Sequence, residues 1–132
     1  MESRSQATVH GAAALALAAA LVHLIVAPDH LREWWGYGAF FLMAAALQVL
    51  FGLALLRRPR PWLLLAGIAG HLALISLYMV TRTVGLPPVG PLAGETEPVG
   101  ALDLLSKSIE IGLVIVLSVL LRGAYRSRTA SA

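Results

Sequence analysis

The chain has 132 residues, 58% of them hydrophobic and 13% charged, with a formal net charge of +3 and no cysteine. A soluble globular domain carries about 25% charged residues, so this composition excludes one and points to the bilayer. The missing thiols exclude disulfides, cysteine nucleophiles and thiolate metal sites. The length accommodates a single membrane domain, residues 1–132.

Residues 1–10 are polar, and 11–27 form an apolar run interrupted only by His23, long enough for a first span. A cleavable leader is the rival reading, because Arg4 precedes an Ala/Leu-rich core. His23 near the end of the run and Pro28 directly after Val26 and Ala27 argue against it. Pro28 lacks a backbone N–H, so the spacing predicts that the first helix ends or kinks there. Asp29 then caps a short interfacial helix, His30 to Trp35, and Trp34, Trp35 and Tyr37 supply an aromatic belt.

The second span is 37–56, with Gln48 its strongly polar residue, and Arg57-Arg58-Pro59-Arg60-Pro61 is a tight basic turn. The third span, 62–84, carries His71, Ser76, Tyr78, Thr81 and Arg82. Residues 85–100 are too rich in proline and glycine for a helix and hold Glu95 and Glu97. The fourth span, 101–121, begins with Asp103, Lys107 and Glu110, and Arg122, Arg126 and Arg128 follow. The expected fold is all-α: an integral membrane four-helix antiparallel bundle with a short interfacial helix after the first span.

With four spans, Arg4, Arg57, Arg58, Arg60, Arg122, Arg126 and Arg128 share one side, against Arg32 and Arg82 on the other. The positive-inside rule then makes this a multi-pass protein of the cell (inner) membrane with both termini cytoplasmic. The basic turn and tail face anionic lipid headgroups rather than nucleic acid. The bilayer is the expected partner, and a homo-oligomer or a larger membrane complex stays open.

Thr81-Arg-Thr-Val-Gly-Leu-Pro87 followed by Glu97-Pro-Val-Gly-Ala-Leu-Asp-Leu-Leu105 resembles a family of small four-span integral membrane proteins of high-GC bacteria. His23 with Pro28-Asp-His-Leu-Arg-Glu-Trp-Trp35, and Tyr37-Gly-Ala-Phe-Phe41, are similar to it as well. The resemblance covers about residues 20–122; it implies the four-span topology and supplies no catalytic residue.

Helical rise gives each polar residue a depth below the outer surface. His23 comes out roughly 6 Å down, Tyr78 and Lys107 roughly 9 Å, and Glu110, Gln48 and His71 about 14–20 Å. His71, Tyr78 and Arg82 share one stripe of the third helix, and Asp103, Lys107 and Glu110 one stripe of the fourth. Lipid cannot solvate such stripes, so they turn inward. The outward half of the bundle is therefore expected to be polar inside, and the cytoplasmic half plain hydrocarbon.

From this follows a candidate pocket of His23, His71, Tyr78, Arg82, Asp103, Lys107 and Glu110, with His30 and Glu33 near its rim. His23, Asp29, His30 and Glu33 are the candidate metal ligands, an N/O set that suits a divalent ion such as zinc, iron or copper(II). Their spacing is not diagnostic, and the alternative is an interfacial histidine bonded to water. His71, Glu110, Tyr78 and Lys107 form either a proton path that stops halfway or a closed polar cluster. A bis-histidine haem on His23 and His71 is not expected, because their depths differ by about 10–14 Å. Arg82 with Glu95, Glu97 and Asp103 clamps the acidic loop over the bundle mouth, as a lid or as a structural tie.

Ser76, Ser106, Ser108 and Ser118 are assigned to backbone bonds one turn earlier, and Gly67, Gly70 and Gly112 to close helix approach. Three functions stay open: a pocket for a metal ion or small polar ligand, an accessory subunit whose polar cluster only specifies packing, and a membrane-embedded metalloenzyme or redox protein. No catalytic residue is assigned.

Overall fold

The computed structural model describes residues 2–130, and within them every regular element is a helix. These are α1 (Glu2–Glu33), α2 (Trp35–Arg57), α3 (Pro61–Thr83) and α4 (Ala101–Ala130). All four are long and apolar enough to cross a membrane.

The expected break at Pro28 does not occur, and no separate interfacial helix follows the first span. α1 runs through Pro28 to Glu33. A proline inside a helix removes one hydrogen bond, to the carbonyl four residues earlier, and the turns around it can carry that loss. The break falls instead at Trp34, whose backbone is extended at φ −167° and ψ 138°. Gly36 and Gly38 allow the tight reversal, because a Cβ at Gly36 would meet the Trp34 ring and one at Gly38 would meet Leu31.

α1 packs along α2 and also against α4, and α3 packs on α4, whereas the α2 and α3 backbones stay apart and meet through side chains such as Phe51 against Gly67 and His71. Close approach of α1 rests on alanine: Ala12, Ala16, Ala19, Ala20 and Ala27 are all at most 1% exposed. Their spacing keeps them on one side of the helix, and small residues let backbones approach where no hydrophobic effect drives association. Gly52 of α2 comes against this helix, where a Cβ would meet the Ala13 carbonyl and Leu17 at 3.4 Å.

The core is divided along the bundle axis. At the end that carries the Arg57–Arg60 turn, Ala12, Ala16, Leu55, Leu63, Leu64, Leu113 and Leu117 form one apolar cluster. Of the three glycines expected to bring helices together, only Gly67 does so. A Cβ there would collide with the Phe51 ring and approach Leu117, whereas Gly70 and Gly112 face open space. The buried polar residues, His23, Gln48, His71, Thr81, Ser106 and Glu110, lie toward the other end, beside buried alanines and Val22.

The segment between α3 and α4 is held by backbone bonds, Leu86 N–H to Glu95 C=O at 2.8 Å and Gly94 N–H to Leu86 C=O at 3.0 Å. Gly85, Gly90 and Gly94 adopt positive φ values of 128°, 93° and 80°. That is the region glycine enters without a Cβ penalty.

Candidate functional site

The deepest polar group is the Glu110 carboxylate, fully buried and contacted from three helices. Its Oε2 accepts from Lys107 Nζ one turn back on α4. Its Oε1 lies 3.5 Å from Gln48 Nε2 on α2 and 3.5 Å from His23 Nε2 on α1. α3 joins through His71 Nε2, 3.5 Å from Gln48 Nε2. A carboxylate without such partners in a low-dielectric interior costs several kcal/mol, of order 3–5 when one partner of a pair is removed.

The donors in this cluster can be ordered by elimination. His71 Nδ1 is 2.7 Å from the Gly67 carbonyl, which only accepts, so Nδ1 carries the proton and a neutral His71 accepts at Nε2. Gln48 must then turn its NH2 toward His71 and Glu110 and its Oε1 toward His23 Nδ1, 2.8 Å away. His23 Nδ1 is therefore a donor, and its Nε2 faces Glu110.

Next to this cluster lies a cavity of about 330 Å³ between the ends of α1, α2, α3 and α4 and the 84–100 segment. Its walls are mainly apolar and aromatic, among them Trp34, Phe40, Phe41, Leu74 and Leu77; His23, Ser106 and Lys107 line it, as do Arg82, Glu97 and Asp103. A second hollow of about 280 Å³ lies entirely between α2 and α3, and both are lined by Phe40 and Leu74. The loose α2–α3 seam thus adjoins the first cavity from the side.

Two polar atoms of the first cavity's lining residues are buried without a hydrogen-bond partner, Ser106 Oγ and Arg82 Nε. Ser106 departs from its expected role. Ser108 and Ser118 do return their hydroxyls to Leu104 and Val114 one turn back, both at 2.7 Å. Ser106, only 4% exposed, makes no such bond. Buried polar groups are normally satisfied, and an exception asks for an explanation.

The 84–100 segment is tied over the cavity by Arg82, whose guanidinium reaches Glu97 through Nη1 and Asp103 Oδ2 through Nη2, the latter at 2.8 Å. Asp103 Oδ2 also accepts the Gly100 N–H at 3.0 Å, and Glu97 N–H donates to the Thr81 carbonyl at 3.1 Å. Tyr37 adds a second tie: its hydroxyl donates to Val89 C=O and accepts from Leu92 N–H, both at 3.2 Å. Tyr78 lies beneath both cations, its ring centre 4.7 Å from the Arg82 guanidinium carbon and 5.5 Å from Lys107 Nζ. Such arrangements contribute roughly 0.5–2 kcal/mol each.

Of the residues singled out in the sequence, His23, Tyr78, Arg82, Asp103 and Lys107 line this one cavity. Glu110 sits behind it, and His71 faces the α2–α3 hollow. Of the four candidate metal ligands, His30 and Glu33 come together, and His23 and Asp29 are engaged elsewhere. His23 is bound to Gln48, and Asp29 pairs with Arg32 at 2.6 Å, both largely exposed. His30 Nδ1 meets Glu33 Oε2 at 3.0 Å. Glu95 takes no part in the Arg82 clamp, which uses Glu97 and Asp103.

The depth assigned to His23 also changes. Continuing α1 by six residues beyond Ala27 moves its end about 9 Å outward, which brings His23 to the level of Gln48 and His71. The depth argument against a shared iron therefore falls; what occupies the space between the two rings is the Gln48 amide. Ser106, Tyr37 and the phenylalanines of α2 were missed as site residues. Ser106 does fall on the Asp103, Lys107 and Glu110 stripe, which was the available signal. No family model, curated protein or solved structure matches this chain.

Proposed function

We propose that this is a four-span antiparallel membrane protein, both termini cytoplasmic, whose outward end binds a small apolar molecule bearing a hydrogen-bond-accepting oxygen. The observation that carries this reading is Ser106, a lining residue of the 330 Å³ cavity whose buried hydroxyl has no hydrogen-bond partner. That volume lies at the lower end for small-molecule sites, which are mainly apolar with a few placed polar groups. Arg82 Nε can only donate, and Ser106 can donate, so the complementary group on the ligand is an acceptor such as a carbonyl or ester oxygen. The apolar walls receive the body of the molecule, and the α2–α3 seam offers a way in from the lipid. The positive-inside distribution of arginine supports the orientation.

A closed polar cluster that only specifies helix pairing is the competing account, favoured by the completeness of the His23–Gln48–Glu110–His71 network. Cysteine labelling separates the two, because the chain has no native thiol. Ser106→Cys is expected to react with N-ethylmaleimide in intact vesicles, while Leu113→Cys, fully buried in the apolar cluster, stays unlabelled. Equal resistance of both thiols in a folded protein would favour the packing account.

A further inference from the structure

We propose that His30, Glu33 and Glu97 form a binding site for a divalent transition-metal ion at the rim of the cavity. It is independent of whether an organic molecule enters the cavity. Each of the three offers one ligand atom, and these atoms lie within 4.8 Å of one another. They come from two elements that the fold brings together: His30 and Glu33 from one turn of α1, and Glu97 from the strap above it. Neither element can form the site alone.

Two of the three positions, His30 and Glu97, are fixed before any ion arrives. The His30 ring is stacked on Phe41, centroids 4.2 Å apart and 11° from parallel. Glu97 is pinned through its backbone to Thr81 and through its side chain to Arg82. Charge points the same way. Glu97 and Asp103 share a single guanidinium, Arg82, while Glu33 meets His30 and Arg32 is taken by Asp29. The rim therefore carries an excess of negative charge that a dication neutralises. One imidazole with two carboxylates is the donor set of zinc and related ions rather than of calcium or magnesium, which take oxygen ligands. A zinc site with three protein ligands would keep a fourth position for water or another ligand.

The test is calorimetric titration of Zn²⁺ into the detergent-solubilised full chain. One equivalent is expected to bind the unmodified protein. His30→Gln and Glu33→Gln are each expected to weaken binding by roughly tenfold or more, the least that loss of a supporting residue costs a metal site. Glu95→Gln, on the same segment as Glu97 but outside the cluster, is expected to leave it unchanged. Glu33 is half-exposed and outside the buried cluster, so Glu33→Gln remains informative if His30→Gln fails to fold. Absence of zinc uptake, uptake unaltered in both variants, or equal weakening by Glu95→Gln would each overturn the site.

Discussion

Lys107 and Glu110 stand one helical turn apart on α4 and form an ion pair in which the carboxylate is completely buried. Removing one charge strands the other in a poorly solvating interior. Lys107→Met alone should therefore destabilise the protein by about 3–5 kcal/mol, and the double variant Lys107→Met with Glu110→Gln by clearly less. Reversible unfolding in mixed micelles, run as a double-mutant cycle, measures this. Additive losses would show that the pair does not act as a unit.

Arg82 should act on the strap before it acts on the bundle. Its two nitrogens hold Glu97 and Asp103, so Arg82→Lys, which keeps the charge but loses the planar fork, should not restore the clamp. The expected outcome is faster amide exchange at Leu86 and Gly94, whose N–H groups close the segment, with exchange in α1 little changed. Unaltered protection at those amides would assign the clamp to Tyr37 alone.

Gly67 and Gly70 make a matched pair for packing. At Gly67 a methyl group meets Phe51 and Leu117, and at Gly70 it meets nothing. Gly67→Ala should cost about 1–3 kcal/mol through overpacking. Gly70→Ala should be neutral or slightly stabilising, because alanine is the better helix former. Thermal denaturation of the two variants side by side decides it, and equal melting temperatures would contradict the packing described around Phe51.

The four helices and the division of the bundle into a polar and an apolar end were legible in the sequence, because both rest on composition and period. The inward stripes of α3 and α4 were legible for the same reason: lipid gives His71 or Glu110 no alternative. Pro28 was misread because local chemistry names the hydrogen bond a proline loses, not whether neighbouring turns can carry the loss. That error propagated to His23, whose depth was counted from the wrong helix end. Ser106 was hidden differently. Its side chain is the same as those of Ser108 and Ser118, and only its place on the Asp103, Lys107 and Glu110 stripe sets it apart before the cavity beside it is seen. Glu97 joined His30 and Glu33 through the course of the 84–100 segment, which no periodicity encodes.

Ser106 and Ser108 give the sharpest contrast for binding. Both are small hydroxyls on α4, but one lines the cavity without a partner and the other bonds to Leu104. Ser106→Phe should fill the cavity, whereas Ser108→Ala should leave it open. Native mass spectrometry of the protein released from gentle detergent tests the central claim most directly. The account predicts an adduct of one small, oxygen-bearing apolar molecule per chain in the unmodified protein and in Ser108→Ala, and its loss in Ser106→Phe. Bare chain mass in all three, or an adduct that survives Ser106→Phe, would contradict it.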